Sequence, residues 1–241
     1  MRNAYLDNIQ YTLGEMRRDV EQAVKDGLTL SSSAALHDAG FNEHHTCHPD
    51  TSAYMLAKNC IAPLADQLTD IDAIVYSTCL PGNGNIGRFD DFVKTRDVKH
   101  LMDFPASHLQ HEFGMDNAQV FGLSQLACTG VLAGLRFSRM LLNDDATINK
   151  ILCVTADRFP TGAHYEQAYN LISDGAAACI VSTQPAGFRI ITAHGITNGA
   201  LAQASDDETV GTFFNYTHRV IHETLAKAGL ELKDIDWIVP Q

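Results

Sequence analysis

Among the six cysteines and eleven histidines of this 241-residue chain, Cys128 has the neighbours that most invite chemistry. It sits in LSQLACTGVLAG (123–134), and the residues after it include Gly130, Val131, Leu132, Gly134, Leu135, Met140 and Leu142. That apolar run reads as a helix, which places the thiol in its first turn. There, backbone N–H groups without helical partners and the positive end of the helix dipole favour thiolate. The same N–H groups can hold a developing oxyanion when sulfur attacks a thioester carbonyl. Gly130 and Gly134 each cost about 1 kcal/mol of helix propensity relative to Ala. Close approach of another backbone is the simplest offset. A helix apolar on all sides is buried, so Cys128 is expected at the inner end of a pocket. The plain alternative is a small core residue among Ala and Leu.

Other candidates have plainer readings. Cys60 falls on a helix stripe, Cys153 and Cys179 fall inside strands, and Cys79 ends a strand; all four read as packing residues. No cysteines pair closely in sequence, which suggests reduced thiols in a cytoplasmic protein rather than a disulfide frame. HHTCHP (44–49) crowds three histidines and Cys47, but no second ligand pair stands at zinc spacing, so a solvated loop is the reading. Gly82, Gly84 and Gly87 match G-x-G-x-x-G, yet Pro81 precedes them and no apolar helix stripe follows; a loop over a pocket mouth fits better than a dinucleotide site. His164 and His194 are bases by residue type alone. Asp174-Gly175 reads as a tight turn in which the carboxylate binds nearby N–H groups.

The elements that must position these groups alternate. A stripe at 53, 56, 57, 60, 61 and 64 predicts a helix capped by Asp50 or Thr51, with Pro63 kinking or stopping it. DAIVYST (72–78) reads as a buried strand, LPGNGNIGRFDDF as a loop, and SHLQHEFG as a helix closed by Gly114. Strands are expected at AQVFGL, KILCVTA (150–156), AAACIVS (176–182), FRIITAHGI (188–196) and DWIVP, with helices over 128–142 and 212–228. This order argues for an α/β fold with mostly parallel pairing.

One unit recurs. The stripe Ala53, Leu56, Ala57, Cys60, Ile61, Leu64 is answered by Phe214, Thr217, His218, Ile221, His222, Leu225, and both helices run into Leu-Ala. DIDAIV (70–75) is then answered by DIDWIV (234–239). The second stripe is expected to be buried like the first, with His218 and His222 packed rather than catalytic. A duplicated half would close near residue 185, leaving 186–241 as the start of a second.

The totals exclude some partners. A net charge of −12, with no long Lys/Arg run, argues against nucleic acid. No apolar stretch approaches the ~20 residues that span a bilayer, and MRNAYLDNIQ has no signal-peptide pattern.

QLACTGVLAGL (125–135) resembles the nucleophile elbow of the thiolase superfamily, most closely its ketoacyl synthase III branch. SHLQHEFGMDNAQVFGLSQLACTG, ILCVTADRF, YNLISDGAAACIVS (169–182) and DIDWIVP resemble further segments of that branch in the same order. The resemblance implies a thiolase-like fold of duplicated α/β halves layered α-β-α-β-α. Residues 1–185 would be the N-terminal half and 186–241 the incomplete start of the C-terminal half. It implies a transferase in fatty-acid, polyketide or related metabolism, with Cys128 taking an acyl group from coenzyme A or a carrier-protein phosphopantetheine. No tightly bound cofactor and no metal are implied. The partner would be acyl-CoA or acyl carrier protein, in a homodimer or with a complementary chain.

In that family the Cys works with a His, which follows a Val-Pro, and with an Asn about thirty residues later. Here Val239-Pro240 is followed by Gln241. A Gln can donate a hydrogen bond to a carbonyl but is no acid or base near neutral pH. The expectation is therefore a truncated or cleaved product, or one half completed by another polypeptide. A catalytically degenerate subunit supporting an active partner is the alternative.

Overall fold

A computed structural model describes residues 2–80, 89–102, 104–160, 162–167, 170–200 and 206–239. In chain order these form β1 (Tyr5–Leu13), β2 (Met16–Asp19), α1 (Val20–Lys25), α2 (Ser33–Asp38), β3 (Glu43–Thr46), α3 (Ala53–Ile61), β4 (Ala73–Ser77), α4 (Phe89–Thr95), α5 (Pro105–Glu112), β5 (Gln119–Leu123), α6 (Gly130–Asp144), β6 (Lys150–Asp157), β7 (Glu166–Gln167), β8 (Asn170–Leu171), β9 (Gly175–Ser182), β10 (Phe188–Arg189) and α7 (Asp206–Ala228). The glycine motif at 82, 84 and 87, and Pro240-Gln241, lie outside the described residues.

Six strands make one sheet in the order β10-β1-β9-β6-β4-β5. β4 runs parallel to β5 and β6, while β9 is antiparallel to β6 and β1, and β1 to β10. The sheet is thus mixed rather than mostly parallel. Among the described residues the connection from β6 to β9 contains no crossover helix, and a parallel neighbour needs one. Side chains fill both faces of the sheet. On one, Leu56, Ala57, Cys60 and Ile61 of α3 meet Ile74, Leu152 and Ala178, with Leu109 of α5 alongside. On the other, Leu142 of α6 packs with Val75, Ile151, Cys153 and Val181. The result is an α/β/α arrangement.

α3 begins at Ser52, whose Oγ accepts from the Met55 N–H, one and two residues beyond the expected caps. Pro63 ends it as expected: the chain tightens into a 3₁₀ turn over Ala62–Gln67. Gly114 closes α5 at φ 64°, and α4 is a helix where a loop was expected. HHTCHP is no solvated loop either. Its first residues form β3 against β2, His44 is buried with Nδ1 on the Ile172 carbonyl, and His45 Nδ1 contacts the Gly14 carbonyl.

Two expected strands fail. FRIITAHGI contributes only Phe188–Arg189 to the sheet, and the described residues of DWIVP, 236–239, form no strand. A strand needs a neighbour for its N–H and C=O groups, and among the described residues neither segment meets one beyond the short β10–β1 pair. α7 forms as expected, but Phe214, His218 and His222 of its supposed buried stripe are not buried, and Phe214 is exposed.

Candidate active site

The carboxyl ends of β4, β5 and β6 lie together because the three strands are parallel neighbours in register. In open α/β sheets this is the edge where ligands bind. Three segments leave it: Thr78-Cys79-Leu80 after β4, Ser124–Thr129 after β5, and Asp157 at the end of β6.

Ser124–Thr129 carries Cys128 round a sharp corner. Gln125 has φ 64° and Ala127 φ 44°. Non-glycine residues in this region cost on the order of 1–3 kcal/mol each and persist only where their surroundings hold them. Two sets of contacts hold this corner. The Thr129 N–H and Oγ1 both donate to the Leu126 carbonyl, at 3.1 and 2.6 Å, and the Cys79 thiol donates to the Ala127 carbonyl at 2.8 Å. Cys128 therefore occupies a 3₁₀ turn, Ala127–Thr129, directly ahead of α6.

α6 lies close to the sheet at its first residue. A Cβ on Gly130 would come within 3.1 Å of Ser77 Cβ, whereas one on Gly134 would make an ordinary 3.6 Å contact with Val75. The close approach expected of these glycines is real at Gly130, against a side chain rather than a backbone. Burial on all sides is not observed. Gly130, Gly134, Ser138 and Leu142, spaced four apart, make a single buried line, while Leu132 and Met140 are exposed. A helix resting on one sheet face covers only one stripe. Cys128 is accordingly exposed rather than set at the inner end of a pocket.

Beside the sulfur is a cavity of about 470 Å³ whose wall includes Thr78, Cys79, Cys128, Thr155, Asp157 and Ser173. Asp157 fixes one side of it. Its Oδ1 accepts from Thr78 Oγ1 at 2.6 Å and from the Cys79 and Leu80 N–H groups at 2.9 and 3.1 Å. That clamp aims Cys79 at the corner, where its side chain also makes hydrogen-bonding contact with Cys128. Cys79 is exposed as a residue, but partial burial of its sulfur pushes its pKa up to about 12, helped by the Asp157 charge and the neighbouring Cys128. Cys79 and Asp157 are the site residues that sequence reasoning passed over. Each lies at the end of a strand in the parallel set with β5, and that shared edge was the available signal.

The remaining candidates lie elsewhere. His164 is exposed and off the cavity. His194 is in no strand and pairs with Glu223 at 2.7 Å. The Asp174 carboxylate binds N–H groups as expected: buried, it accepts from the Cys47 and Phe159 N–H groups at 2.7 and 2.8 Å and from Tyr165 Oη at 2.9 Å. The tight turn is not observed, since Gly175 begins β9 without a positive φ. Cys47 and Cys60 are buried thiols held by burial at about 12 and about 11. No group of three or more His, Cys, Asp or Glu among the described residues could hold a metal ion. Likewise, no described helix is long and apolar enough to cross a membrane.

The family of 3-oxoacyl-[acyl-carrier-protein] synthase III matches residues 124–199, from the turn that carries Cys128 through β9 and beyond. Over 212 residues the chain is 26% identical to the beta-ketoacyl-[acyl-carrier-protein] synthase III of Pasteurella multocida, covering 79% of this chain and 60% of that protein. The chain is similar to ketoacyl synthase III proteins. Solved structures share the family fold. The 3-oxoacyl-[acyl-carrier-protein] synthase III of Aquifex aeolicus superposes with a TM-score of 0.71 at 16% identity, covering 96% of this chain and 74% of its own. The acyltransferase ChlB3 does so at 0.70 and 19%, covering 97% and 73%. The chain thus spans about three-fifths of the curated relative.

Proposed function

We propose that Cys128 is a nucleophile that accepts an acyl group from a coenzyme A or acyl-carrier-protein thioester. Its sulfur attacks the thioester carbonyl carbon, negative charge gathers on the carbonyl oxygen near the Cys128 N–H, and the donor thiolate leaves as the acyl-Cys128 thioester forms. One observation carries this reading: Cys128 is exposed at the helix entrance on the wall of a 470 Å³ cavity, at the strand edge where α/β sheets bind ligands. The family likeness supports the same chemistry, placed in fatty-acid, polyketide or related metabolism in the cytoplasm.

The groups lining the cavity bear on the fate of the acyl-enzyme. Among the described residues no His and no Asn lines it, and the Asp157 carboxylate is engaged by Thr78 and the loop after β4. Among the described residues, that wall offers no imidazole for proton transfer. This favours simple acyl transfer over decarboxylative condensation by this chain alone, with residues outside it needed for full activity. Residues 186–241 would then belong to a second thiolase-like half. β5 is the sheet's outer strand, pairing among the described residues only with β4, which suits a homodimer joined edge to edge. Sedimentation velocity would show that dimer; a monomer at all concentrations would remove it.

The same lack of an imidazole supports a second reading, a degenerate subunit that shapes an active partner. Incubation with acetyl-CoA and then intact-mass measurement separates the two. A thioester adduct present in the native chain and lost in Cys128→Ser supports the acyl-accepting role. No adduct, alone or in a reconstituted assembly, leaves the degenerate subunit.

A further inference from the structure

Cys79 has no part in the acyl-transfer scheme, yet it is the second sulfur at the site. Its contact with Cys128 is built from both sides. Asp157 holds the Cys79 and Leu80 N–H groups, and the Cys79 thiol reaches the carbonyl of the residue immediately before Cys128. Both cysteines are exposed and both line the cavity. A second thiol pair provides an internal contrast. Cys153 and Cys179 face each other across β6 and β9 but are buried in the sheet, with Ser138 Oγ 3.0 Å from Cys153. Of these two pairs, only the first is open to a dissolved oxidant.

We propose that Cys79 and Cys128 form a redox modification site, with Cys79 resolving an oxidised Cys128 into a reversible disulfide when a hydroperoxide enters the cavity. In the first step the Cys128 thiolate attacks one peroxide oxygen. The O–O bond breaks, an S–O bond forms, and the departing oxygen takes a proton to leave as alcohol, or as water from hydrogen peroxide. In the second, the Cys79 sulfur attacks the Cys128 sulfenic sulfur. The S–S bond forms, the S–O bond breaks, and hydroxide carries off the Cys79 proton as water. Two thiols lose two electrons and one hydroperoxide gains them. The order of events comes from the geometry: the Cys79 thiol proton is held by the Ala127 carbonyl and the Asp157 carboxylate beside it disfavours its thiolate, so Cys128 reacts first. While the disulfide stands, Cys128 can take no acyl group and is shielded from irreversible oxidation.

The test needs no acyl donor, so it stands even if the acyl-transfer reading fails. The native chain is treated with hydrogen peroxide in slight excess and measured by intact mass and peptide mapping. The expected product is lighter by about 2 Da, carries a Cys79–Cys128 cross-link, and reverts with dithiothreitol. In Cys79→Ser and Cys79→Ala, each checked for native circular dichroism, the cross-link is lost and Cys128 instead gains about 32 Da as sulfinic acid, which dithiothreitol does not reverse. The proposal is overturned if native Cys128 over-oxidises as fast as in these variants, or if the first cross-link joins Cys153 to Cys179.

Discussion

Helix α3 with strand β4, and helix α7 with residues 234–239, carry the same order of residues and reach different ends. In the first copy Leu56 is 1% exposed and Ile74 fully buried, and Asp72 Oδ2 accepts from the Asn149 and Lys150 N–H groups at 2.7 and 3.0 Å. β4 sits between β5 and β6, so its backbone is paired on both sides. In the second copy Phe214 is 68% exposed, Trp237 87% and Val239 91%. Asp234 caps a local 3₁₀ turn, Leu232–Asp234, through a reciprocal bond with Glu231, and Asp236 is exposed. Matching patterns thus make helices in both places, because helical hydrogen bonds are local. Only one makes a strand, because a strand's hydrogen bonds must come from elsewhere in the fold.

That contrast can be broken by measurement. The largest effect is expected from Leu56→Ala, which should cost about 2–5 kcal/mol in chemical denaturation, against about 0.5 kcal/mol or less for Phe214→Ala. Equal costs would mean that the α7 stripe is packed after all. Next, Asp72→Asn should cost on the order of 1–3 kcal/mol, because it weakens the acceptor of two backbone N–H groups, while Asp236→Asn should leave stability unchanged. A comparable loss at Asp236 would give the second copy the same anchoring role. The smallest effect is spectroscopic. Trp237, the sole tryptophan, should emit like free indole in water and be quenched by acrylamide at nearly the rate of a short peptide. Shielded emission would place residues 234–239 against a partner surface.

Much of the site could be read from the chain. The helix after Cys128 showed in the glycines and apolar residues that come after the thiol, and the strands beneath it in runs such as DAIVYST and KILCVTA. The corner itself could not be read, since Gln125 and Ala127 are not residue types that signal positive φ. Their conformation is imposed by Cys79 and Thr129. Nor could the pairing of the two sulfurs be read, because they are far apart in sequence and only the parallel register of β4 with β5 brings their strand ends together. The overestimate of burial around α6 has a similar origin. Composition says which side chains prefer to leave water, but it does not say whether a second surface is there to receive them.

By itself, then, the sequence determined what depends on neighbours a few residues away: the periods of α3, α6 and α7, the stop at Pro63, the turn at Gly114, and a thiol at the entrance to a helix. The tertiary structure decided what depends on distant partners. It set β9 antiparallel to β6, left residues 236–239 without a sheet, exposed one side of α6, and brought Cys79 and Asp157 to Cys128. Local hydrogen bonds and side-chain spacing are written along the chain, whereas strand pairing and burial require surfaces that exist only once the rest has folded.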